Sequence, residues 1–411
     1  MWRAWIDVVL RVGRICDLGR YGRPVTFTLV CLASISALSP AHAASLAAEK
    51  RAAIDTAVAQ FLKRVDASPA LHSGASAKSA LALAIGNEST LLIAKGYGET
   101  APGEPATAHT IFHVGSLAKQ FTAAAVLDLI SRRARLRDGT PLTLDLALAQ
   151  IFEGVEHWPR GDAGTGKQPV TLRTLLTMTS NLPNFTRLPP SSTDPWGRIP
   201  APELLSELKK LRPTGWPNTF EYSNTSYFLL AEAIEEAVAP GEQAPRAHRD
   251  RLRQTMFSRA GLRETGFVGD YTPNANVAQA IYRKKPVFDQ PDWLKGSADI
   301  ASSASDIYAW NAALLNGHVL APELVALMVS EGARVTPELY YGMGWFVEHK
   351  AKTDIYTHSG HVPGYTSYNL VSAAPGKVGE RAWTSVTLLV NTDVAEGLDA
   401  LAEELLYLVN R

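Results

Sequence analysis

Hydrophobic and polar positions change their spacing several times along the chain, and each change marks a predicted element. Residues 45–65 repeat apolar positions at helical spacing, which predicts an amphipathic helix. Residues 81–85 and 91–94 are apolar runs joined through Gly86 and Asn87, which predicts a β-hairpin. A sheet is therefore expected to begin early in the chain.

Helical patterns dominate the middle of the sequence. Residues 113–130, 201–211 and 227–238 are predicted helices, and loops rich in proline and glycine separate them. The turn-rich segment 188–202 is expected at the surface, as a rim beside a site.

Strand patterns return near the end of the chain. Residues 365–372 and 382–391 alternate like strands, and residues 394–409 predict a closing helix. Strands at both ends with helices between them predict an α+β fold with one interleaved core.

The N-terminal residues differ in composition from the rest. Residues 1–24 carry five arginines against two aspartates, and the uncharged run 25–38 precedes Ala41 and Ala43. This order predicts a secretory signal cleaved after Ala43, with export to the periplasm or the medium. The run is too short to span a bilayer comfortably, and no small residue stands ahead of Cys31 for lipidation, so no stable membrane anchor is expected.

Cysteine and charge then exclude several classes of site. Cys16 and Cys31 both fall in the predicted signal, so the mature chain has no disulfide, thiol nucleophile or thiolate metal site. Removing the signal leaves 35 basic and 38 acidic residues, a net charge near −3. Such a charge does not indicate binding to nucleic acid.

Ser116 and Lys119 open the apolar pattern of residues 113–130, three positions apart. At that spacing the two side chains share one helix face, and burial would favour a neutral lysine able to take the serine proton. The alternative is a capping serine with a lysine that reaches solvent, and this motif alone fits both. Ser206 and Lys209 repeat the spacing in a polar-faced helix, where no chemistry is expected.

Tyr222 and Asn224 stand just before a predicted helix. A tyrosine can act as an acid or base when cations lower its pKa, and an amide can hold both a lysine and a substrate carbonyl. The alternative is a turn with a packed aromatic ring.

His358, Ser359, Gly360 and His361 precede the alternating segment near the C-terminus. A glycine there would let a substrate approach a strand edge closely. His72 begins a similar triplet but lies in a loop of small residues. Zinc is the main alternative for the histidines, yet no further ligand stands at suitable spacing, so neither a metal nor another cofactor is expected.

The three motifs, in this order, resemble the serine β-lactamase and penicillin-recognising DD-peptidase superfamily, in particular its class C-like branch with esterases and D-aminopeptidases. The stretches LLTMTSNLPNF, AGLRETGF, YGMGW and HSGHVPGY are also similar. The resemblance covers roughly residues 80–393.

The resemblance implies a fold and a set of roles. An α/β part would comprise about residues 44–115 and 290–411, and a mostly α part about 116–289. Ser116 would attack a carbonyl to give an acyl-enzyme. The other implied roles are proton transfer by Lys119 and Tyr222, substrate orientation by Asn224, substrate binding by residues 358–361, and an oxyanion hole from the backbone N–H groups of Ser116 and His361.

Two positions depart from the family pattern. Asn181 stands where many relatives have glycine, and asparagine tolerates a left-handed backbone. His358 stands where enzymes that bind a substrate carboxylate usually carry lysine. Because a histidine of ordinary pKa is mostly uncharged near neutral pH, this change favours esterase or aminopeptidase-like activity.

Three hypotheses follow for the function. The first is an exported serine hydrolase of a small ester, an amide or a D-amino-acid peptide bond, including fragments of peptidoglycan. The second is a class C-like β-lactamase or DD-peptidase. The third is a binding or sensing protein without turnover.

Overall fold

The computed structural model describes residues 46–69, 78–160, 167–187, 200–238, 247–271, 275–282 and 291–411. The predicted signal segment, His72 and residues 188–199 lie outside the described residues, so those expectations stay predictions. Residues Ala44–Arg411 form one compact unit.

Helices and strands are interleaved along the chain. The helices are α1 (Ala48–Asp66), α2 (Ala118–Ser131), α3 (Leu172–Leu176), α4 (Ala201–Leu208), α5 (Asn224–Val238), α6 (Ala247–Leu252), α7 (Ser258–Ala260), α8 (Ala304–Leu315), α9 (Pro322–Met328) and α10 (Leu398–Asn410). The strands are β1 (Leu81–Asn87), β2 (Leu91–Tyr97), β3 (Glu99–Ala101), β4 (Glu104–Pro105), β5 (Ile111–His113), β6 (Gly266–Phe267), β7 (Ile300–Ser303), β8 (Ala333–Arg334), β9 (Leu339–Tyr341), β10 (Phe346–Lys350), β11 (Thr353–Val362), β12 (Tyr365–Ala373) and β13 (Trp383–Val390).

The main sheet is antiparallel and is built from both ends of the chain. Its strand order is β2-β1-β13-β12-β11-β10-β9-β8, so the early hairpin lies beside the last strand, with Leu81 opposite Val390. Helices cover this sheet and fill the middle of the sequence. The predicted α+β fold is confirmed.

Strand β1 shows how the sheet is buried on both faces. Leu81, Leu83 and Ile85 pack in a cluster with residues of α1 and α10. The alternate residues Ala82 and Ala84 belong to a second cluster on the opposite face, with residues of α2 and α8. Because successive side chains point to opposite faces, a strand covered on both sides is apolar throughout. Full burial of each large side chain contributes about 1.5–3 kcal/mol.

The hairpin turn lies later than predicted. Gly86 and Asn87 remain in β1, and the turn is formed by residues 88–90. The Asn87 Oδ1 atom accepts hydrogen bonds from the backbone N–H groups of Ser89 and Thr90, both at 2.9 Å. An asparagine side chain that closes a turn in this way fixes the reversal just after itself.

The predicted helices 113–130 and 201–211 are shorter than their patterns, and the closing helix begins at Leu398 rather than at Val394. Residues 113–130 do not form one helix, because His113 ends β5 and a 3-10 turn, Gly115–Leu117, precedes α2. Residues 201–211 form a helix only to Leu208. Beyond it, the Leu211 carbonyl accepts a hydrogen bond from Trp158 Nε1 at 2.7 Å, so a tertiary contact satisfies this group.

A second sheet positions the residues that precede α2. Strand β7 lies between β5 and β6, with Phe112 opposite Ser302. The short strand β5 therefore enters the core beside β7 and delivers the chain directly into the Gly115–Leu117 turn. None of the described helices combines the length and the apolarity needed to cross a bilayer.

Candidate active site

Ser116 lies in the 3-10 turn between β5 and α2. Gly115 has φ +54°, a left-handed conformation that favours glycine. A Cβ atom at Gly115 would lie 2.9 Å from the backbone nitrogen of His361, so the absence of a side chain also allows β11 to approach. Backbone geometry thus places half-buried Ser116 beside a strand edge.

Lys119 follows in the first turn of α2 and is completely buried. Its Nζ atom lies 2.9 Å from Ser116 Oγ, 2.8 Å from Asn224 Oδ1 and 2.9 Å from the carbonyl oxygen of Ser297. The alternative of a capping serine with a solvent-reaching lysine is wrong, because Ser116 makes no cap and Lys119 reaches no solvent.

The hydrogen-bonding partners of Lys119 determine which of them its neutral amine could accept a proton from. Burial lowers the pKa of Lys119 well below its usual range, while the charge of Asp299 opposes this shift. A neutral amine has two N–H donors and one lone pair, and neither the Asn224 amide oxygen nor the Ser297 carbonyl can donate a proton. In its neutral form Lys119 would therefore turn its lone pair towards the Ser116 hydroxyl, which is the arrangement that a general base requires.

Asn224 begins α5 and is held from several sides. Its backbone N–H donates to Asn184 Oδ1 at 3.1 Å, and its Nδ2 atom donates to Thr186 Oγ1 at 3.1 Å. These contacts orient the amide so that Oδ1 faces Lys119. The second motif therefore lies against the first across 105 positions of sequence.

Tyr222 lies over the same lysine. The centre of its ring is 4.9 Å from Lys119 Nζ, and the Ser116 side chain is near enough to lower the pKa of its hydroxyl. Burial has the larger effect and raises the pKa of Tyr222 above its usual range. The lowered pKa that would favour a tyrosine base is not found at Tyr222, because burial outweighs the opposing contribution. Tyr222 is therefore a protonated hydroxyl, suited to pass a proton on.

The third motif lies on β11, along a part of its edge that β10 does not cover. Pairing with β10 reaches only to Thr357, opposite Phe346, whereas β12 continues beside Val362. The side chains of Ser359 and His361 are exposed along this segment. A substrate backbone could therefore lie against the same edge that the Gly115 turn approaches.

His358, by contrast, is 1% exposed, and both of its ring nitrogens have protein partners. Nδ1 lies 2.7 Å from the Ser359 carbonyl, which accepts only, so Nδ1 carries the proton. Nε2 then accepts from the Tyr341 hydroxyl at 3.3 Å. Burial lowers the pKa of His358 to about 3, so the ring is neutral at physiological pH. Direct contact between His358 and a substrate stays a prediction. Because both ring nitrogens already bind protein groups, the structure favours a role in which His358 supports β11 rather than touching the substrate.

Gly360 allows β11 to pack against the turn that holds Ser116. A Cβ atom at Gly360 would overlap the Val114 carbonyl oxygen and Ser367 Oγ, which are themselves hydrogen-bonded at 2.8 Å. We therefore expect Gly360→Ala to lower the free energy of unfolding by about 1–3 kcal/mol, as overpacking does. Urea unfolding measures the effect.

The neighbouring variant Ser359→Ala is the control for Gly360→Ala. Its side chain is exposed, so its unfolding free energy should change by less than about 0.5 kcal/mol. Equal stability of the two variants would show that β11 does not pack as closely as described.

Several contributors to the site were not predicted from the sequence. Tyr341 and Asn184 occur in the family-like stretches YGMGW and LLTMTSNLPNF, so a signal for them existed. The Ser297 carbonyl had none, because a backbone atom 178 positions from Lys119 leaves no mark on residue type.

The second Ser-x-x-Lys pair does not form a site. The Ser206 hydroxyl donates to the Pro202 carbonyl at 3.1 Å within exposed α4, and Lys209 lies over the ring of Phe152. These are ordinary surface contacts, as the polar-faced pattern predicted.

Two proteins with assigned names are similar to this chain in sequence. PbpX of Bacillus subtilis, a protein named for penicillin binding, is 27% identical over 269 residues, covering 64% of this chain and 59% of its own length. The D-aminopeptidase of Brucella ovis is 26% identical over 238 residues, covering 56% and 41%. The chain thus spans less than two thirds of these relatives.

Solved structures share the fold at low identity. A penicillin-binding protein homologue from Pyrococcus abyssi superposes with a TM-score of 0.67 at 19% identity, covering 88% of this chain and 77% of its own. D-amino acid amidase from Ochrobactrum anthropi SV3 gives 0.65 at 19% identity, covering 88% and 99%. The beta-lactamase family profile matches residues 51–409, nearly all of the described chain, and the protein belongs to the beta-lactamase family.

Proposed function

We propose that this protein is a serine hydrolase that acts through an acyl-enzyme on an ester, an amide or a D-amino-acid peptide bond. The observation that carries the proposal is the 2.9 Å separation between Ser116 Oγ and the Nζ atom of fully buried Lys119. Burying an amine so completely costs stability, and the role of a general base, which needs a lowered pKa, accounts for that cost.

In the proposed acylation Lys119, Ser116 and Tyr222 act one after another. Lys119 takes the hydroxyl proton of Ser116, and the serine oxygen attacks the substrate carbonyl. Negative charge develops on the carbonyl oxygen, where the backbone N–H groups of Ser116 and His361 would stabilise it. The bond to the leaving group then breaks, and Tyr222 relays the proton from Lys119 to that group. Water then attacks the acyl carbonyl and gives up a proton through Tyr222 to Lys119, and the bond between the acyl group and Ser116 Oγ breaks as Lys119 returns a proton to that oxygen.

The preferred substrate follows from the charge around the β11 edge. His358 supplies no positive charge for a carboxylate, because burial keeps it neutral. Beside His361 lies a groove of about 290 Å³ whose walls include Asp393 and Glu396. An acidic wall suits an ammonium group better than a carboxylate. The similarity to a D-aminopeptidase and a D-amino acid amidase supports the same D-aminoacyl class.

A substrate comparison tests this proposal. A short ester, a D-alanyl amide, a D-alanyl-D-alanine peptide and a chromogenic cephalosporin are turned over side by side, and kcat/KM is compared. We expect the ester and the D-alanyl amide to exceed the cephalosporin and the carboxylate-terminated peptide. A preference for the cephalosporin or for that peptide would replace this function with the second hypothesis. Failure with all four, without any serine labelling, would favour a binding protein.

His358→Lys should shift the preference towards substrates with a carboxylate. A lysine ammonium near the β11 edge would offer a charge-assisted hydrogen bond of about 1–2 kcal/mol, roughly tenfold in kcat/KM. The measurement is the ratio of kcat/KM for the cephalosporin and the ester, in both proteins, at low and high salt. His358→Gln is the neutral control. An unchanged ratio in a folded His358→Lys variant would contradict a role for charge at this position.

We further propose that the protein is exported after cleavage behind Ala43. The arginine-rich start, the uncharged run and the small residues before Ala44 support this. N-terminal sequencing of the protein recovered from the periplasm or the medium should begin at Ala44. An intact N-terminus in the cytoplasmic fraction would contradict export.

A further inference from the structure

The turn formed by residues 295–299 supports α2 through two backbone carbonyls. The Ser297 carbonyl accepts from Lys119 Nζ at 2.9 Å, and the Gly296 carbonyl accepts from Thr122 Oγ1 at 2.8 Å. Gly296 has φ +67°, and a Cβ atom there would lie 2.7 Å from the Tyr227 carbonyl of α5. The turn is therefore wedged between the two helices that carry Lys119 and Asn224.

Asp299 closes this turn and is 1% exposed. Its Oδ1 atom accepts the Gly296 N–H at 3.0 Å, and its own carbonyl accepts from Val268, which follows β6, at 2.9 Å. Its Oδ2 atom has no hydrogen-bond partner among the described residues. A buried carboxylate oxygen without a partner lowers stability, so the fold alone does not explain why a carboxylate stands here.

The charges around Asp299 come from several elements. The charge of Asp299 raises the pKa of Lys119 on α2. The charges of Arg249 on α6 and Lys295 in the turn lower the pKa of Asp299 itself. Burial raises the pKa of Asp299 to about 6, against the effect of both cations. His248 on α6 is buried and neutral, since burial lowers its pKa well below the usual value. Lys295 is itself paired with Glu232 at 2.8 Å and Glu235 at 2.6 Å.

We propose that Asp299 is a positioning residue for Lys119: it fixes the turn that presents the Ser297 carbonyl, and its negative charge stabilises the ammonium form of the lysine. The inference rests on the proposed function, in which Lys119 is the base. Loss of the charge alone should therefore make Lys119 neutral at lower pH. Loss of the hydrogen bond as well should also displace Lys119 from Ser116.

The test compares Asp299→Asn with Asp299→Ala. The asparagine keeps an oxygen acceptor for Gly296 and removes the charge. With an uncharged short ester, the acid limb of its pH profile of kcat/KM should move down by about 1 pH unit, since a nearby opposite charge typically shifts a pKa by about 1–3 units. Asp299→Ala should show the same displacement and, in addition, a fall in kcat of about tenfold with little change in KM.

Asp306→Asn is the matched control, because Asp306 is also a buried carboxylate with a pKa raised to about 6 by burial. It accepts from Arg263, Glu264 and Thr265 rather than facing Lys119, so its acid limb should not move. If Asp299→Asn does not fold, Asp299→Ser, which is also neutral and can accept from Gly296, takes its place with the same expectation.

An acid limb that stays in place, or moves up, in the folded neutral variant would overturn the proposal. That outcome is distinct from failure of the proposed function. A wild-type protein that hydrolyses no ester and takes no serine probe refutes the hydrolase. A wild-type protein that hydrolyses the ester while Asp299→Asn keeps its pH profile refutes only the role of Asp299.

Discussion

Ser116→Ala is expected to abolish hydrolysis of every substrate that the wild-type protein turns over. The variant removes the attacking oxygen, and loss of a serine nucleophile lowers kcat by about 10⁴- to 10⁶-fold. Alanine fits the Gly115–Leu117 turn because Ser116 is small and makes no cap. Turnover of the short ester and the D-alanyl amide, with circular dichroism and thermal unfolding alongside, measures activity and fold separately.

Ser206→Ala is the control for this variant, because Ser206 begins the second Ser-x-x-Lys pair and is exposed. Its turnover should equal that of the wild type. Hydrolysis that persists in Ser116→Ala would require another nucleophile, and the assignment of Ser116 would be wrong.

Lys119→Met should lower kcat by about 10²- to 10⁴-fold, which is the usual contribution of general-base assistance. Methionine approximates the volume of the buried stem, so the core stays filled, although Asn224 and the Ser297 carbonyl each lose a donor. Tyr222→Phe should also lower kcat strongly. Because Lys119 and Tyr222 would transfer the same proton, the double variant should be about as slow as the slower single variant.

Rate constants for the single and double variants on one ester, with Lys209→Met as the control lysine, check this prediction. Lys209 lies at the surface over Phe152 and should be replaceable without effect. Strictly additive losses would show that Lys119 and Tyr222 do not share a step.

Much of this arrangement could be predicted where residue type and local spacing carry the information. The spacing of Ser116 and Lys119 places both on one side of a turn, and the alternating apolar runs give the sheet strands at both chain ends. Asn181 adopts φ +57°, as its substitution for glycine predicted. Its amide also donates to the Trp216 carbonyl at 3.0 Å, which gives the asparagine a second use.

The remaining features depend on burial and on backbone atoms, which spacing does not reveal. The protonation of Tyr222 and His358 is set by enclosure, and the tautomer of His358 is set by a carbonyl and by Tyr341. The Ser297 carbonyl reaches Lys119 only because the 295–299 turn wedges between two helices. Tertiary packing therefore decides the electrostatics of a site whose residues the sequence already indicates.

The most direct test of the central claim is to map the site of covalent modification by a fluorophosphonate probe in the wild-type protein. Intact mass should increase by one adduct, and peptide mapping should place it on Ser116, with faster labelling as Lys119 loses its proton. An adduct on any other residue, or no adduct in a protein that hydrolyses the ester, would contradict the assignment of Ser116 as the nucleophile.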